Sequence, residues 1–480
     1  MPGSPTTEPE PDFICDCEGW MRSACAGEPF YQKHEGKRYC VLHFPGKEKS
    51  AVFKKGLQRK LDRKDFDFQG VWFPDEVRFY PFESGTEVNF SHATFAARVA
   101  FGGFGAAAKF SYASFWGNAD FDRATFSGKA DFAFATFSAE ANFSSATFSQ
   151  EANFLGIKVS AEANFSSATF SAEASFSGTF VADAKFDFAA FKAVVYFSQA
   201  NFRAVSFYLA TFSSDVLFIG ATFSGQTTFR YATFAGHLRF ARARGLPVFS
   251  STSSLDLELV EIEKTEKVSF HTVILRPHWF VNVDPRKFDF TNVDWDWRNA
   301  NQEIKSLETR GVSSPQSFLA IACRRLAENA EDDNRYEDAS KFRYLAMDAK
   351  RLERLHGFAF WRLSWWYWLA SGYGERAFQA LVVLLGVWIL FGLIYTRVGF
   401  AHWEPKLASE PDTIVAKRDD TAAPLNFSRA LTYSAGVMTL QKPEPKPATT
   451  AAQTVVLLET ILGPVQAALL ALAIRRKFMR

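Results

Sequence analysis

The sequence lacks an excess of charge of either sign, because 54 lysines and arginines balance 52 aspartates and glutamates to a formal net charge of +2. Proteins that bind nucleic acid present a strongly basic surface. The sequence also lacks a nucleophile–base pair, a phosphate-binding loop and a metal site with an open position. We therefore predict no nucleic-acid partner and no enzymatic activity.

Cysteine is scarce and unevenly distributed. Of the five cysteines, Cys15, Cys17, Cys25 and Cys40 lie in the first forty residues, and only Cys323 lies elsewhere. In a chain with no recognisable secretory signal peptide, such clustering favours a metal site in a reducing compartment over a disulfide framework.

Four residues of the N-terminal segment, 1–50, have a spacing that suits a metal. Cys17, Cys25, Cys40 and His43 form the pattern C-x7-C-x14-C-x2-H. The close Cys40/His43 pair allows one turn to offer two ligands, and three thiolates with one imidazole complete a closed, structural zinc site. Cys15 can replace Cys17 in this set, and unrelated free thiols are the alternative interpretation.

Phenylalanine is abundant, with 53 copies, and it recurs with regular spacing. The spacing alternates between five and six residues along Phe110, Phe115, Phe121, Phe126, Phe132 and Phe137. A fixed period of eleven residues fits neither an α-helix nor a simple strand, and it predicts a solenoid. The phenylalanine and the alanine two residues before it should point inward, while the Ser, Thr and Asn residues between them face outward or hydrogen-bond the turns.

The repeating unit is A-[TNDS]-F-S, as in ANFSS at 141–145 and ATFSQE at 146–151. This pattern resembles the pentapeptide-repeat family. The resemblance implies a right-handed quadrilateral β-helix of about 22 residues per coil, with an extra residue on two of its four sides, which we assign to 51–270. Family members that imitate DNA are strongly acidic, whereas residues 68–250 hold 14 acidic and 13 basic side chains. For the repeat alone, a spacer or a protein-binding scaffold is the better interpretation.

The segment 271–355 should close the solenoid and connect it to the C-terminal part of the chain. Residues 268–296 are rich in aromatic side chains, which suits a cover for the exposed strand edges of the last coil. Residues 315–355 predict two helices separated by a break at 331–334.

The C-terminal segment, 356–480, contains two long apolar runs. Residues 377–395 form a nineteen-residue run without a charge, and a second apolar run covers 451–474. Both are long enough to span a bilayer. The aromatic residues just before the first run predict a helix lying on the membrane surface. Basic residues flank the whole unit at both ends, which predicts a multi-pass protein of the cell (inner) membrane, in contact with lipid, with both termini in the cytoplasm.

Between the two runs, a short apolar helix from about Phe427 to Val437 leads into Thr439, Leu440, Gln441 and Lys442. The order of outer helix, re-entrant helix, turn and inner helix resembles that of two-span, potassium-channel-like tetrameric channels. The resemblance implies a homotetrameric pore that conducts ions, with Gly463 and Pro464 at an inner-helix gate. The turn has no glycine and carries a lysine, so we expect no potassium selectivity.

Glu459 lies within the second run, where a carboxylate must be paired or face water. It is either a functional group or a structural one that bonds to the re-entrant helix backbone or to Arg429. These patterns indicate two functions. The first is an ion-channel-like membrane protein with a cytoplasmic solenoid that senses or binds a partner, and the alternative is a membrane-anchored scaffold without conduction.

Overall fold

The computed structural model describes residues 13–25, 27–243, 245, 247–297, 314–353, 363–401 and 422–478. The chain divides into two compact units, Met1–Val312 and Ser313–Arg480. Part of the predicted surface helix, 356–362, lies outside the described residues, and so does 402–421 between the two apolar runs.

The first unit is a parallel β-solenoid of about 10 turns. Its short strands pair with the strands one coil away, so that Ala119 aligns with Ala141 and Ala141 with Ala163. The pairings form four columns, one for each side of the coil. The fold class predicted from the repeat, a four-sided parallel β-helix of about 22 residues per coil, is confirmed.

The strands of this unit are short and regular. In chain order they are Trp72–Phe73, Val77–Phe79, Val88–Asn89, Thr94–Phe95, Val99–Phe101, Gly103–Phe104, Ala108–Lys109, Ser114–Phe115, Ala119–Asp120, Thr125–Phe126, Ala130–Asp131, Thr136–Phe137, Ala141–Asn142, Thr147–Phe148, Ala152–Val159, Ala163–Asn164, Thr169–Phe170, Ala174–Lys185, Ala190–Phe191, Val195–Tyr196, Ala200–Ser206, Thr211–Phe212, Val216–Ile219, Thr222–Phe223, Gln226–Thr228, Thr233–Phe234, Leu238–Ala241, Ser254–Asp256, Glu261–Ile262, Val268–His271, Ile274–Leu275, Asp289–Thr291 and Asp294–Trp295. Strands thus continue past residue 270, where the sequence pattern ended the β-helix.

The five-residue steps of the repeat contain a tight corner. At the five-residue step from Phe143 to Phe148, the amide of Ala146 donates to the carbonyl of Phe143 at 3.2 Å, which closes a tight turn. Ser145, in this corner, adopts a left-handed backbone with φ of 53°. Asn142 supports this corner, because its side-chain oxygen accepts the amide of Ser144 at 3.1 Å. The outward Asn of the repeat is therefore a turn-forming residue.

The core is a set of stacked phenylalanine rings. Phe143 lies between Phe121 and Phe165, with ring centroids 4.6 and 4.8 Å apart and planes within 2° of parallel. Ala141 and Phe143 are both buried, as the repeat pattern predicted. Neither could bury its side chain within a single coil, so stacking of successive coils supplies the apolar core.

The N-terminal segment covers the first coil. It contains the 3-10 helix Gly19–Cys25, an antiparallel hairpin of Phe30–His34 and Lys37–Cys40, the 3-10 helix Lys47–Lys49, and helix α1, Ser50–Asp62. The amide of Trp72 in the first strand donates to the carbonyl of Leu42 at 3.0 Å, and the ring of Phe53 packs against Phe73 at 5.5 Å. The segment assigned to the β-helix from residue 51 thus begins with a helix.

The last coils contain two further 3-10 helices, Thr265–Lys267 and Pro277–Phe280. Phe280 and Trp295 are buried there, with rings 5.8 Å apart. Aromatic residues close this end of the core, as the composition of 268–296 predicted.

The second unit is helical. Its helices are α2 (Pro315–Asp332), α3 (Tyr336–Glu353), α4 (Leu363–Ser371), α5 (Ala377–Tyr395), α6 (Phe427–Met438) and α7 (Thr450–Phe478). Helices α2 and α3 form a hairpin broken at the predicted position, and the buried face of α2 includes Leu319, Cys323 and Leu326. Helix α5 and the 27 residues Thr450–Arg476 of α7 are each long and apolar enough to cross a membrane.

Candidate metal centre and re-entrant segment

Five potential metal ligands converge in the N-terminal segment. Cys15 and Cys17 precede the 3-10 helix that ends at Cys25, and Cys40 ends a hairpin strand. The amide of Phe44 donates to the carbonyl of Cys40 at 3.0 Å, which forms the turn that carries the buried imidazole of His43. The ligand atoms of Cys15, Cys17, Cys25 and His43 all lie within 4.8 Å of one another.

The distances between these atoms fit a tetrahedral metal. The Cys17 and Cys25 sulfurs are 3.7 Å apart, and His43 Nδ1 lies 3.4 Å from the Cys25 sulfur and 3.3 Å from that of Cys40. A zinc ion about 2.3 Å from each sulfur requires edges of about 3.8 Å. His43 Nε2 lies 3.0 Å from the carbonyl oxygen of Gln69, a contact that directs Nδ1 towards the thiols.

Cys15 and Cys17 have different surroundings within the cluster. The amide of Cys40 donates to the Cys15 sulfur at 3.4 Å, and hydrogen bonds with Cys25 and Cys40 lower the pKa of Cys15. Burial and the nearby charge of Cys15 raise the pKa of Cys17 to about 12. Hydrogen bonds with Cys15 and Cys40 also raise the pKa of Cys25, so the negative charge of this group of thiols is centred on Cys15.

The basic groups around the cluster respond to the same environment. Burial alone would lower the pKa of His43, but hydrogen bonds with Cys15 and Cys40 raise it to about 9. Lys49 is fully buried, and its ammonium nitrogen donates to the carbonyls of Val41 (2.7 Å) and Leu42 (2.8 Å). Burial lowers the pKa of Lys49 to about 6. Lys49 therefore ties the Cys40–His43 turn to the start of α1, a structural role that the sequence pattern did not reveal.

In the second unit, helix α6 lies against both long apolar helices. The indole nitrogen of Trp388 in α5 donates to the carbonyl of Leu431 at 2.9 Å. At the other end of α6, Met438 lies against Gly463 of α7, where an added Cβ would come within 3.1 Å of the Met438 Cα atom. Gly463 therefore permits a close approach of the two helices.

Glu459 of α7 is fully buried at the contact of α5, α6 and α7. Its carboxylate accepts hydrogen bonds from the hydroxyl groups of Tyr395 in α5 and Ser434 in α6. The sequence pattern suggested the backbone of α6 or Arg429 as its partner, and that interpretation is wrong. Hydroxyl groups satisfy the carboxylate because Tyr395 and Ser434 face it from two neighbouring helices. The polar residues in otherwise apolar helices were the available signal.

The turn after α6 is exposed. Thr439, Leu440, Gln441 and Lys442 all present their side chains to the outside of the chain. Thr439 donates its hydroxyl to the carbonyl of Ala435 at 2.9 Å, and Leu440 has a left-handed backbone with φ of 58°. Pro464 lies inside α7, directly after Gly463.

A family profile described as pentapeptide repeats matches residues 121–169 and 197–244 in nine copies. These residues are pentapeptide repeats. No curated protein and no solved structure matches the chain.

The interval between the two matched stretches of pentapeptide repeats has a structural counterpart. It contains the strand Ala174–Lys185, where the pairing offset changes from 22 residues at Ala152 and Ala174 to 21 at Ile157 and Gly178. The pentapeptide-repeat match includes neither the cysteine cluster nor the long apolar helices of the second unit.

Proposed function

We propose that the chain is a membrane ion-channel-like protein that carries a pentapeptide-repeat solenoid on its cytoplasmic side. Helices α5 and α7 would be the two spans. Only 17% of the apolar stretch of each helix is buried within the chain, so lipid or another copy of the chain must cover most of this apolar surface. Exposed residues include Leu385 and Ile389 of α5 and Leu458 and Ile461 of α7.

The segment between the spans enters and leaves at the same end of the bundle. Phe400, just after α5, bridges to both Ala423 and Pro447, which lie before α6 and before α7. From there α6 runs inward as far as Met438, which contacts Gly463. At 1.5 Å per residue, Gly463 lies about 20 Å from the start of α7, close to the middle of a bilayer core of about 30 Å.

This depth is the observation that carries the proposal. The chain returns from Met438 to Thr450 without regular secondary structure, and Thr439, Gln441 and Lys442 are exposed along it. Irregular backbone at membrane depth is tolerated only where protein covers it or where it lines a water-filled cavity. Several copies of the chain around an axis, with these turns facing water, satisfy that requirement.

We propose a homotetramer, with the 439–442 turns lining the narrow part of a pore. The carbonyl end of α6 points towards the centre and favours cations, whereas a ring of Lys442 side chains opposes them. With no glycine in the turn, a potassium-type ring of carbonyls does not form, and we expect a non-selective or anion-tolerant pore. Gly463 and Pro464 would form the hinge of a gate, and the cytoplasmic solenoid would shift the equilibrium between its open and closed states.

The test is planar-bilayer recording of the purified full-length protein, together with its mass in detergent. We expect single-channel currents from a tetramer, and Lys442→Glu should shift the reversal potential in a salt gradient towards cation selectivity. Lys192→Glu, the same change at an exposed site on the solenoid, is the control. Silent bilayers with reconstituted wild-type protein would contradict conduction.

The second candidate is a membrane-anchored scaffold without conduction. It is favoured by apolar side chains exposed at one corner of the repeats, among them Phe188 at 55%, Leu209 at 40% and Tyr231 at 39%. If the protein is a scaffold, charged substitutions at this corner should abolish its cellular function, and Pro464→Ala should not. If the protein is a pore, Pro464→Ala should change the currents of the purified protein, and the charged substitutions should leave them unchanged.

We further propose that the cysteine cluster holds one structural zinc ion through Cys15, Cys25, Cys40 and His43. The N–H donor to the Cys15 sulfur and the Nδ1 contacts of His43 support this set. Cys17, the ligand that the sequence spacing favoured, is the alternative to Cys15, because its sulfur lies 3.7 Å from that of Cys25. Zinc analysis of the purified protein tests the proposal, with the variants described in the Discussion.

A further inference from the structure

A basic cleft lies in the second unit where α3 meets the start of α5 and the end of α7. Its volume is about 540 Å³, and its lining includes Ser340, Lys341, Glu375, Arg376 and Arg476. It opens at the end of the bundle opposite to the bridge between Phe400 and Pro447, because it contacts the first residues of α5 and the last residues of α7.

The lining of the cleft contains fewer carboxylates than cations. Glu375 is occupied, since Arg476 lies 3.2 Å from one of its oxygens and the Ser340 hydroxyl donates to the other at 2.7 Å. The other carboxylate in the lining, Glu337, is exposed in the first turn of α3. The lining therefore holds three cations, Lys341, Arg376 and Arg476, and two carboxylates, one of which is already bound within the wall. Lys341 also lies 3.8 Å from the carboxylate of Asp338, one turn before it on α3, so Arg376 is the main cation of the cleft.

Arg376 is the cation best placed to bind an anion. Its guanidinium carbon lies 4.0 Å from the centroid of the Tyr344 ring, and none of the ion pairs among the described residues includes it. A guanidinium stacked on a ring keeps its N–H edge available and oriented, which suits two-point binding of a phosphate group.

The cleft borders a helix that is built for a membrane surface. Helix α4 exposes Leu363 at 85% and Trp366 at 53%, which lie one turn apart on the same face. On its other side, the indole nitrogen of Trp368 donates to the hydroxyl of Tyr344 at 3.0 Å. The ring that supports Arg376 is thus held by the helix that would lie at the lipid headgroups.

We propose that this cleft binds the phosphate headgroup of an anionic phospholipid from the cytoplasmic leaflet, with Arg376 and Lys341 as the principal contacts. The inference rests on the membrane insertion proposed above and is independent of conduction. Basic pockets between helices at the cytoplasmic face are suited to anionic headgroups, and each cation contributes about fivefold in affinity. A bound lipid would connect α3, the second helix of the α2–α3 hairpin, to the first membrane span, α5.

The experiment measures binding of lipid to the full-length protein in detergent by native mass spectrometry, with dioleoylphosphatidylglycerol and dioleoylphosphatidylcholine as probes. Arg376→Gln and Lys341→Gln are compared with Arg475→Gln, which removes a charge from the same end of α7 outside the cleft. Inorganic phosphate is added in a separate arm. Arg376→Lys keeps the charge without the planar fork, and all variants are checked for an unchanged elution profile.

The proposal predicts tighter binding of phosphatidylglycerol than of phosphatidylcholine, a loss of about fivefold in each cleft variant and less than twofold in Arg475→Gln. Equal binding of the two lipids, or an equal loss in Arg475→Gln, would overturn it. Displacement of the lipid by millimolar inorganic phosphate would overturn it in favour of a soluble phosphate ligand. None of these measurements records a current. If a protein that does not conduct still binds the lipid as predicted, the pore proposal is wrong and the lipid-binding proposal stands. If Arg376→Gln does not elute normally, Arg376→Lys and Lys341→Gln decide the result.

Discussion

The carboxylate of Glu459 and the hydroxyl of Tyr395 are hydrogen-bonded at a point where both side chains are fully buried. The two residues lie on different long apolar helices, 64 positions apart in sequence. Ser434 donates to the other oxygen of the same carboxylate and so joins α6 to the pair. One carboxylate therefore holds the three helices that form the proposed membrane domain.

Replacing Glu459 should loosen this bundle. In Glu459→Ala the hydroxyls of Tyr395 and Ser434 lose their acceptor, which should cost about 2–4 kcal/mol. We expect the apparent melting temperature in detergent to fall, whereas Glu459→Gln, which keeps an acceptor oxygen, should lose less. Thr460→Ala changes the adjacent exposed residue and is the control. Equal melting temperatures for Glu459→Ala and the control would contradict a structural role for the carboxylate.

The contact between Gly463 and Met438 predicts an unusual effect of a small substitution. Alanine is a better helix former than glycine, so Gly→Ala within a helix usually stabilises it by up to about 1 kcal/mol. In Gly463→Ala the new methyl meets Met438 and should push the end of α6 away, which lowers the melting temperature. Gly386→Ala in α5 meets nothing within 4 Å and should not lower it. Similar behaviour of the two variants would argue against the re-entrant position of α6.

The cysteine cluster predicts a defined metal content. Purified protein should contain about one zinc ion per chain, and Cys40→Ser should lose it, because a structural site needs all four ligands. Cys323→Ser is the matched control, since that thiol is buried in α2 and burial raises its pKa to about 12. The measurement is elemental analysis after extensive dialysis.

Cys15 and Cys17 can be separated by the same measurement. We expect Cys15→Ser to lower zinc affinity at least tenfold relative to Cys17→Ser in competition with a chromophoric chelator. The reason is the hydrogen bond from the Cys40 amide to the Cys15 sulfur, which would stabilise a metal-bound thiolate at Cys15. The opposite order would restore Cys17 as the ligand.

Stacking within the solenoid predicts a large cost for removing one ring. Phe143→Ala takes away contacts with Phe121 and Phe165 and leaves a cavity, which should cost about 3–5 kcal/mol. Phe134→Ala is the control, because that ring is 45% exposed at a corner. Denaturant titration of the full-length protein followed by β-sheet circular dichroism should separate the two variants. An equal loss in both would mean that the stack contributes little.

Much of the fold could be predicted because its rules are local and repeated. The pattern of inward-facing side chains repeats every eleven residues, so the burial of Ala141 and Phe143 follows from the spacing alone. The long uncharged run likewise predicts α5, which has the same bounds in the structure, Ala377–Tyr395. The two ends of the β-helix were harder to predict, because α1 and the last strands do not follow the regular spacing of phenylalanine.

The sequence by itself determined the coil, the stacked core and the two apolar helices, since each depends on periodicity or length along the chain. Only the tertiary structure decided which hydroxyls meet Glu459, how far α6 reaches beside Gly463, and which thiol accepts the amide of Cys40. These contacts join residues from separate elements at distances of a few ångströms. Their geometry comes from packing between helices and turns, which a one-dimensional pattern does not encode.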